Sequence, residues 1–149
     1  EIICKLNAYW FLSAELQSPV VLTGSLAMYL MGLEPYREFK DLDIIVINPT
    51  NRDYEKLDLM REISLLYQHI PDSVKYKREA KFQFTCKGVN VDVFVEKGID
   101  FLWQAVMIGT SINFVRVNSL QNILKARRRL GREKDITSIF KFIQKIVNL

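Results

Sequence analysis

The 149-residue sequence holds a single histidine, His69, and two cysteines, Cys4 and Cys86. One histidine excludes a histidine-rich metal centre and leaves any nucleophilic triad that residue alone. The cysteines lie far apart with no Cys-x-x-Cys spacing, so neither a zinc site nor a disulfide framework is indicated, and reduced thiols in a cytoplasmic protein are expected. Six glycines and four prolines are too few for a low-complexity segment, and no internal repeat is visible. The longest apolar stretch, residues 20–33, is interrupted by Thr23-Gly24-Ser25 and falls short of the roughly 20 residues a membrane-spanning helix needs. The chain opens on Glu1 rather than Met, which suggests native residues missing at the start, and no signal peptide is visible. These absences leave carboxylates as the favoured carriers of chemistry.

What is present is 49% hydrophobic and 26% charged, the make-up of one folded domain over residues 1–149 with a real core. The net charge of +4 tolerates a polyanionic ligand without demanding one. Basic charge gathers late, at Lys125, Arg127, Arg128, Arg129, Arg132 and Lys134. A charge run of this kind is ordinarily the solvated face of a helix, and the competing reading is a track for a nucleic-acid backbone.

Hydrophobic periodicity predicts a helix over residues 2–16, stopped before Pro19, and then a short buried strand over 20–23. A helix over 26–33 and a loop over 35–40 follow, and 42–47 alternates as a strand. Thr50 or Asn51 caps a helix over 53–68, whose apolar residues are Tyr54, Leu57, Leu59, Ile63, Leu66 and Tyr67. Short β patterns cover 74–77, 82–86 and 89–95, with Lys87-Gly88 as a hairpin turn. Residues 98–105 are ambiguous, and 112–117 reads as a further strand. A helix capped at Asn118-Ser119 runs to Leu130, and Ile136, Ile139, Phe140, Ile143 and Ile146 mark a final helix. Residues 119–149 are thus expected to form a helical hairpin against the sheet. The class is α+β, a mixed or antiparallel sheet with flanking helices. Trp10 and Trp103 lie apart in the sequence and read as packing residues, and His69 as a surface or capping residue.

Gly24-Ser25 lies where a strand turns into a helix, a junction that presents free backbone N–H groups while glycine lets a phosphate approach closely. The plainer reading makes Ser25 a helix cap. Strand alternation puts Asp41 and Asp43 on one face, and Asp92 stands alone among Val91, Val93 and Phe94 in a later strand able to pair beside them. Carboxylates brought together repel unless a cation neutralises them, and magnesium is the natural partner. The plainer reading leaves all three on a solvated sheet face.

Gly24-Ser25, Asp41-Leu-Asp43 and the Asp92 of Asn-Val-Asp-Val-Phe-Val together resemble the nucleotidyltransferase superfamily, which includes polymerase β and the aminoglycoside and lincosamide nucleotidyltransferases. Arg37-Glu-Phe-Lys-Asp-Leu-Asp43, with the later Lys125, Arg129, Lys134 and Asp135, is most similar to the AbiEii-type toxin nucleotidyltransferases of abortive-infection and toxin–antitoxin systems. The resemblance spans residues 20–142. It implies that Asp41, Asp43 and Asp92 hold two Mg2+ ions and that Asp92 helps deprotonate the attacking hydroxyl. It implies that Gly24, Ser25, Arg37, Lys40, Lys125 and Arg129 bind the NTP or its phosphates, with Asp135 as the orienting acid. The implied reaction moves an NMP from an NTP to an acceptor hydroxyl on a tRNA, a protein or a small molecule, and a cognate antitoxin is an implied partner. Phe39 stands where the branch has Thr or Ser, and Ser138 where it has a second late acid. Two alternatives follow from the residues: a catalytically silent nucleotide- or partner-binding module on the same fold, and a nucleic-acid-binding protein working through the basic helix.

Overall fold

The computed structural model describes residues 2–68, 80–98, 101–109 and 113–148, with only the backbone of 67, 68, 142 and 146. The expected strand over 74–77 and His69 lie outside the described residues. In chain order the described elements are α1 (Ile2–Glu15), β1 (Val20–Leu22), α2 (Gly24–Leu30), β2 (Leu42–Ile47), α3 (Asn51–Gln68), β3 (Phe82–Cys86), β4 (Val89–Glu96), β5 (Trp103–Met107), β6 (Phe114–Asn118), α4 (Leu120–Leu130) and α5 (Glu133–Val147).

The six strands form one mixed sheet in the order β3-β4-β2-β1-β6-β5. The β2–β4 and β1–β6 pairs are parallel, and the β1–β2, β3–β4 and β5–β6 pairs are antiparallel. The alternation of β2 decides the two faces. Leu42, Ile44 and Val46 enter the main core with Leu6, Tyr9 and Leu12 of α1, Leu26, Ala27 and Met28 of α2, Leu57 of α3 and Ile123 of α4. Ile45 and Ile47 point the other way and join Val21, Phe94 and Phe101. β1 is central and covered on both sides, so Val20, Val21 and Leu22 are all fully buried.

Local chemistry sets the joints. Thr50 caps α3: Asp53 N–H donates to its hydroxyl (3.1 Å), and Asp53 accepts from the Thr50 N–H (3.0 Å), a capping-box arrangement. The same carboxylate accepts from the Gln17 N–H (2.7 Å), the Ser18 N–H (3.2 Å) and the Ser18 hydroxyl (2.7 Å), tying the exit of α1 to the start of α3. Burial alone would raise its pKa, but the Ser18, Gln17 and Thr50 donors outweigh that and hold Asp53 below its ordinary value. At the β3–β4 hairpin both Lys87 (φ 50°) and Gly88 (φ 77°) are left-handed, as a two-residue turn between twisted strands requires.

Two points that periodicity left open are filled in, and one expectation, the last, is corrected. The ambiguous stretch near residue 100 ends in β5, an edge strand paired with β6. α3 buries Leu57 yet exposes Leu59, Ile63 and Leu66. In α5 the inward positions include Asp135, while Ile136, Phe140 and Ile143 face out rather than against the sheet. Among the described side chains, polar contacts dock this helix: Ser138 bonds Glu34 and Arg127, and Lys145 donates to the Gly32 carbonyl at 2.9 Å.

Candidate active site

The site assembles where β1 passes into α2. Thr23 N–H donates to the Asp43 carbonyl at 2.9 Å, prolonging the β1–β2 ladder by one residue before the chain turns. Gly24 makes that turn at φ +75°, a region an L-residue enters only at a cost. A Cβ at this position would lie 2.8 Å from Asp43 Oδ2. Glycine is therefore demanded twice, by backbone angle and by the carboxylate packed against it.

Asp43 and Asp92 are aligned partners of the parallel β2–β4 pair, so their side chains leave the same face side by side. Asp92 is buried and accepts from Gln83 Nε2 at 3.2 Å, while Asp43 is half-buried. Asp41 sits one step before β2, half-buried at the rim. Among the described residues no three metal-ligating side chains converge on one point. The chemistry of the pair nevertheless fits Mg2+, which is ordinarily held by one or two carboxylates, with substrate phosphates and water completing the shell. Asp43 and Asp92 are the residues that would hold it, with Asp41 at the edge.

Ser25 is not the helix cap. That position belongs to Thr23, whose side chain makes no capping bond. The Ser25 hydroxyl instead accepts from two guanidiniums: Arg37 Nη2 approaches from the loop before β2, and Arg127 Nη2 arrives from α4 at 3.3 Å. Arg37 is placed by its neighbour. Phe39 is buried against Tyr29 (6.1 Å between ring centroids) and Tyr36 (5.9 Å), and the Arg37 guanidinium lies 5.7 Å from the Phe39 ring. The aromatic at this departure from the branch pattern thus anchors the loop. Lys40 is exposed on the same loop.

Lys125 and Arg129 share the exposed side of α4, and the arginine turned inward is Arg127. Its Nη1 donates to Glu34 Oε1 at 2.6 Å and to the Ser138 hydroxyl, which itself donates to Glu34 at 3.0 Å. Ser138 therefore completes a polar triad at the place where an acid was expected. The sequence carried a signal for Arg127: Leu120, Ile123, Leu124 and Arg127 have the i, i+3, i+4, i+7 spacing of one helix face, and a charge on an apolar stripe needs a buried partner. Asp135 is buried and takes a two-point contact from Arg132, at 2.6 and 3.2 Å.

The site extends as a row straight across the sheet. Gln83 aligns with Asp92, Asp92 with Asp43, Thr23 hydrogen-bonds Asp43, Asn118 Nδ2 donates to Thr23 Oγ1 at 3.1 Å, and Trp103 aligns with Asn118. Beyond Asn118, the Arg116 guanidinium lies 5.2 Å from the Trp103 ring and 5.5 Å from that of Phe114, both rings 41% exposed. Trp103 is thus part of an aromatic–arginine stack that strand pairing, not sequence proximity, creates. The two thiols take no part: burial pushes Cys86 up, away from the reactive thiolate, and Cys4 is exposed on α1.

No protein-family model matches the sequence, and no curated protein matches it either. Solved structures do. A Thermotoga maritima protein assigned to the nucleotidyltransferases superposes with a TM-score of 0.52 at 16% identity, over 97% of this chain and 93% of that one. ANT(2″)-Ia, solved in complex with adenylyl-2″-tobramycin, superposes with a TM-score of 0.56 at 14% identity, over 98% of this chain and 90% of that one. The fold is the nucleotidyltransferase fold. At these identities the likeness concerns architecture, and the expected mixed sheet with flanking helices is the one observed. No helix among the described residues is long and apolar enough to cross a membrane.

Proposed function

We propose that this chain is an Mg2+-dependent nucleotidyltransferase that moves an NMP from an NTP to an acceptor hydroxyl. The observation that carries the reading is the single junction at which Gly24 abuts the Asp43 carboxylate, Asp92 stands beside it in register, and two guanidiniums meet at Ser25. Opposite charges sit where each is needed: guanidiniums and backbone N–H groups for a triphosphate, carboxylates for its metal. Bound magnesium would neutralise phosphate charge and help acidify the acceptor hydroxyl.

The chain's own residues then have definite tasks. Gly24 lets the backbone approach the β- and γ-phosphates, and Ser25, Arg37 and Arg127 hold their oxygens, with Lys40, Lys125 and Arg129 contributing charge from the rim. Asp43 and Asp92, with Asp41 at the edge, would hold the metal beside the α-phosphate. Asp92, kept in place by Gln83, accepts the proton of the acceptor hydroxyl as its oxygen bonds to the α-phosphorus. The bond from that phosphorus to the bridging oxygen breaks, and pyrophosphate leaves. Such transfers depend on positioning and charge neutralisation, which suits a chain with one histidine and a suppressed thiol.

The acceptor surface we assign to the far end of the row. Strand spacing puts Trp103 about 14 Å from Asp43, and an open ring pair around a guanidinium suits an acceptor with stacking rings and anionic groups. A polycation such as tobramycin would meet Arg116 there. Within the fold, the Arg37–Asp43 segment supports the AbiEii-type branch and, with it, a toxin role paired with an antitoxin.

The test is incubation with each α-labelled NTP, Mg2+ and total cell extract. Labelling of one class of macromolecule is expected, lost on chelation and reduced at least a hundredfold in Asp43→Asn and Asp92→Asn. If no NTP binds in the presence of Mg2+ and neither substitution changes any readout, the proposal is wrong.

A further inference from the structure

The outer face of α5 carries Ile136 (58% exposed), Phe140 (63%), Ile143 (52%) and Val147 (75%). Their spacing of four, three and four residues is the d-a-d-a seam of a heptad, a straight apolar stripe along a helix whose other side is already docked through Ser138 and Lys145. The stripe offers on the order of 450 Å² of apolar surface, as much as the largest patch on an ordinary monomer.

We infer that α5 pairs with α5 of a second copy of this chain, antiparallel, about a two-fold axis between Phe140 and Ile143. Three features favour a second copy over another partner. The 4-3-4 spacing reads the same in both directions, so a two-fold brings Phe140 opposite Ile143 and Ile136 opposite Val147 in both halves at once, as an isologous interface demands. The flanking residues Thr137, Ile139 and Gln144 are uncharged, so two identical, basic chains meet without like charges beside the seam, and no charge there selects an acidic partner. Lys134, Lys141 and Lys145 lie off the seam on helical spacing. The paired stripes would bury roughly 900 Å², close to the lower bound for a specific interface, so a reversible dimer is expected rather than an obligate one. Because Ser138 of this helix holds Arg127, the pair also braces the arginine that reaches Ser25. The inference does not rest on the transferase reading.

Sedimentation velocity on the full chain tests it. A species of twice 17.4 kDa is expected at micromolar concentration, and Phe140→Glu and Ile143→Lys should each be monomeric with unchanged circular dichroism, since both side chains are already solvent-facing in the single chain. Mixing the two variants should restore the dimer, because the antiparallel axis sets Glu against Lys in one layer and leaves Ile143 on Phe140 in the other. A monomeric parent chain would overturn the inference. So would a dimer that survives Phe140→Glu, one dissociated by Leu66→Glu on α3 instead, or rescue by mixing Phe140→Glu with Phe140→Lys in place of the cross pair, which signals parallel helices.

Discussion

Replacing Gly24 by Ala adds one methyl group at the point where the backbone turns against the Asp43 carboxylate, the centre of the proposed site. Two costs can be separated. Alanine at φ +75° loses about 1–2 kcal/mol through the contact of Cβ with its own backbone. The new Cβ would also stand 2.8 Å from Asp43 Oδ2, closer than real Cβ atoms come, so the carboxylate must swing away by several tenths of an ångström. Gly24 sits at the very start of α2 with a non-helical φ, so alanine gains no helix propensity in return. The sum is about 2 kcal/mol, a fall of roughly 4–8 °C in Tm for a chain of this length. The functional cost is larger, because a displacement approaching 1 Å in a positioning group can lower a rate about a hundredfold. Thermal unfolding followed by circular dichroism measures the first quantity, and pyrophosphate release with saturating NTP the second. A cycle with Asp43→Ala isolates the contact: the stability loss of Gly24→Ala should shrink towards the backbone cost once the carboxylate is gone. A Gly24→Ala protein with parental Tm and turnover would refute the reasoning. A loss undiminished in the Asp43→Ala background would refute the part assigned to the carboxylate.

Asp53→Asn should lose about 2–3 kcal/mol at neutral pH, because charge-assisted bonds from Gln17, Ser18 and Thr50 weaken together. The fold holds the Asp53 pKa below its unfolded value, so its stabilisation is complete above about pH 4 and fades as the pH falls below that. The gap between parent and variant in urea midpoints should therefore close on acidification, and a gap independent of pH would contradict this. Arg127→Met strands the Glu34 carboxylate and should cost about 2–3 kcal/mol as well as weaken NTP binding, whereas Lys125→Ala on the exposed face should change stability by less than about 0.5 kcal/mol. Isothermal titration with a non-hydrolysable NTP compares them, and a greater loss of affinity in Lys125→Ala would return the leading role to the sequence-matched lysine. Tyr9→Phe removes a hydroxyl that donates to the Val20 carbonyl (2.8 Å) and accepts from the Arg116 N–H (2.9 Å), bridging β1 and β6. About 1.5–2 kcal/mol should be lost, read by chemical denaturation. Burial raises the Tyr9 pKa, so this loss should be constant up to pH 9.

Much of the architecture was legible because it is written in short-range periodicity. The alternation of residues 42–47 assigned Ile44 and Ile45 to opposite faces, as found, with Asp43 on the side of Ile45; only the structure showed which face met the main core. Ser119 announced the start of α4, and Lys87-Gly88 the β3–β4 hairpin. The edge strand β5 was obscure because exposed edge residues need no strict alternation: Trp103, Gln104, Ala105 and Met107 are all exposed. In α5 the apolar stripe misled, since periodicity shows that a face is apolar without showing what covers it.

The Gly24, Asp41, Asp43 and Asp92 set came from the sequence alone, because strand parity fixes which side chains share a face and glycine marks a backbone that no other residue tolerates well. The tertiary structure alone decided their partners. It set Asp92 beside Asp43 rather than a strand away, brought Arg127 to Ser25 across more than a hundred residues, and stacked Trp103 with Phe114 through Arg116. The reason is physical: local pattern fixes which way a side chain points, and only strand order and helix docking fix what it meets there.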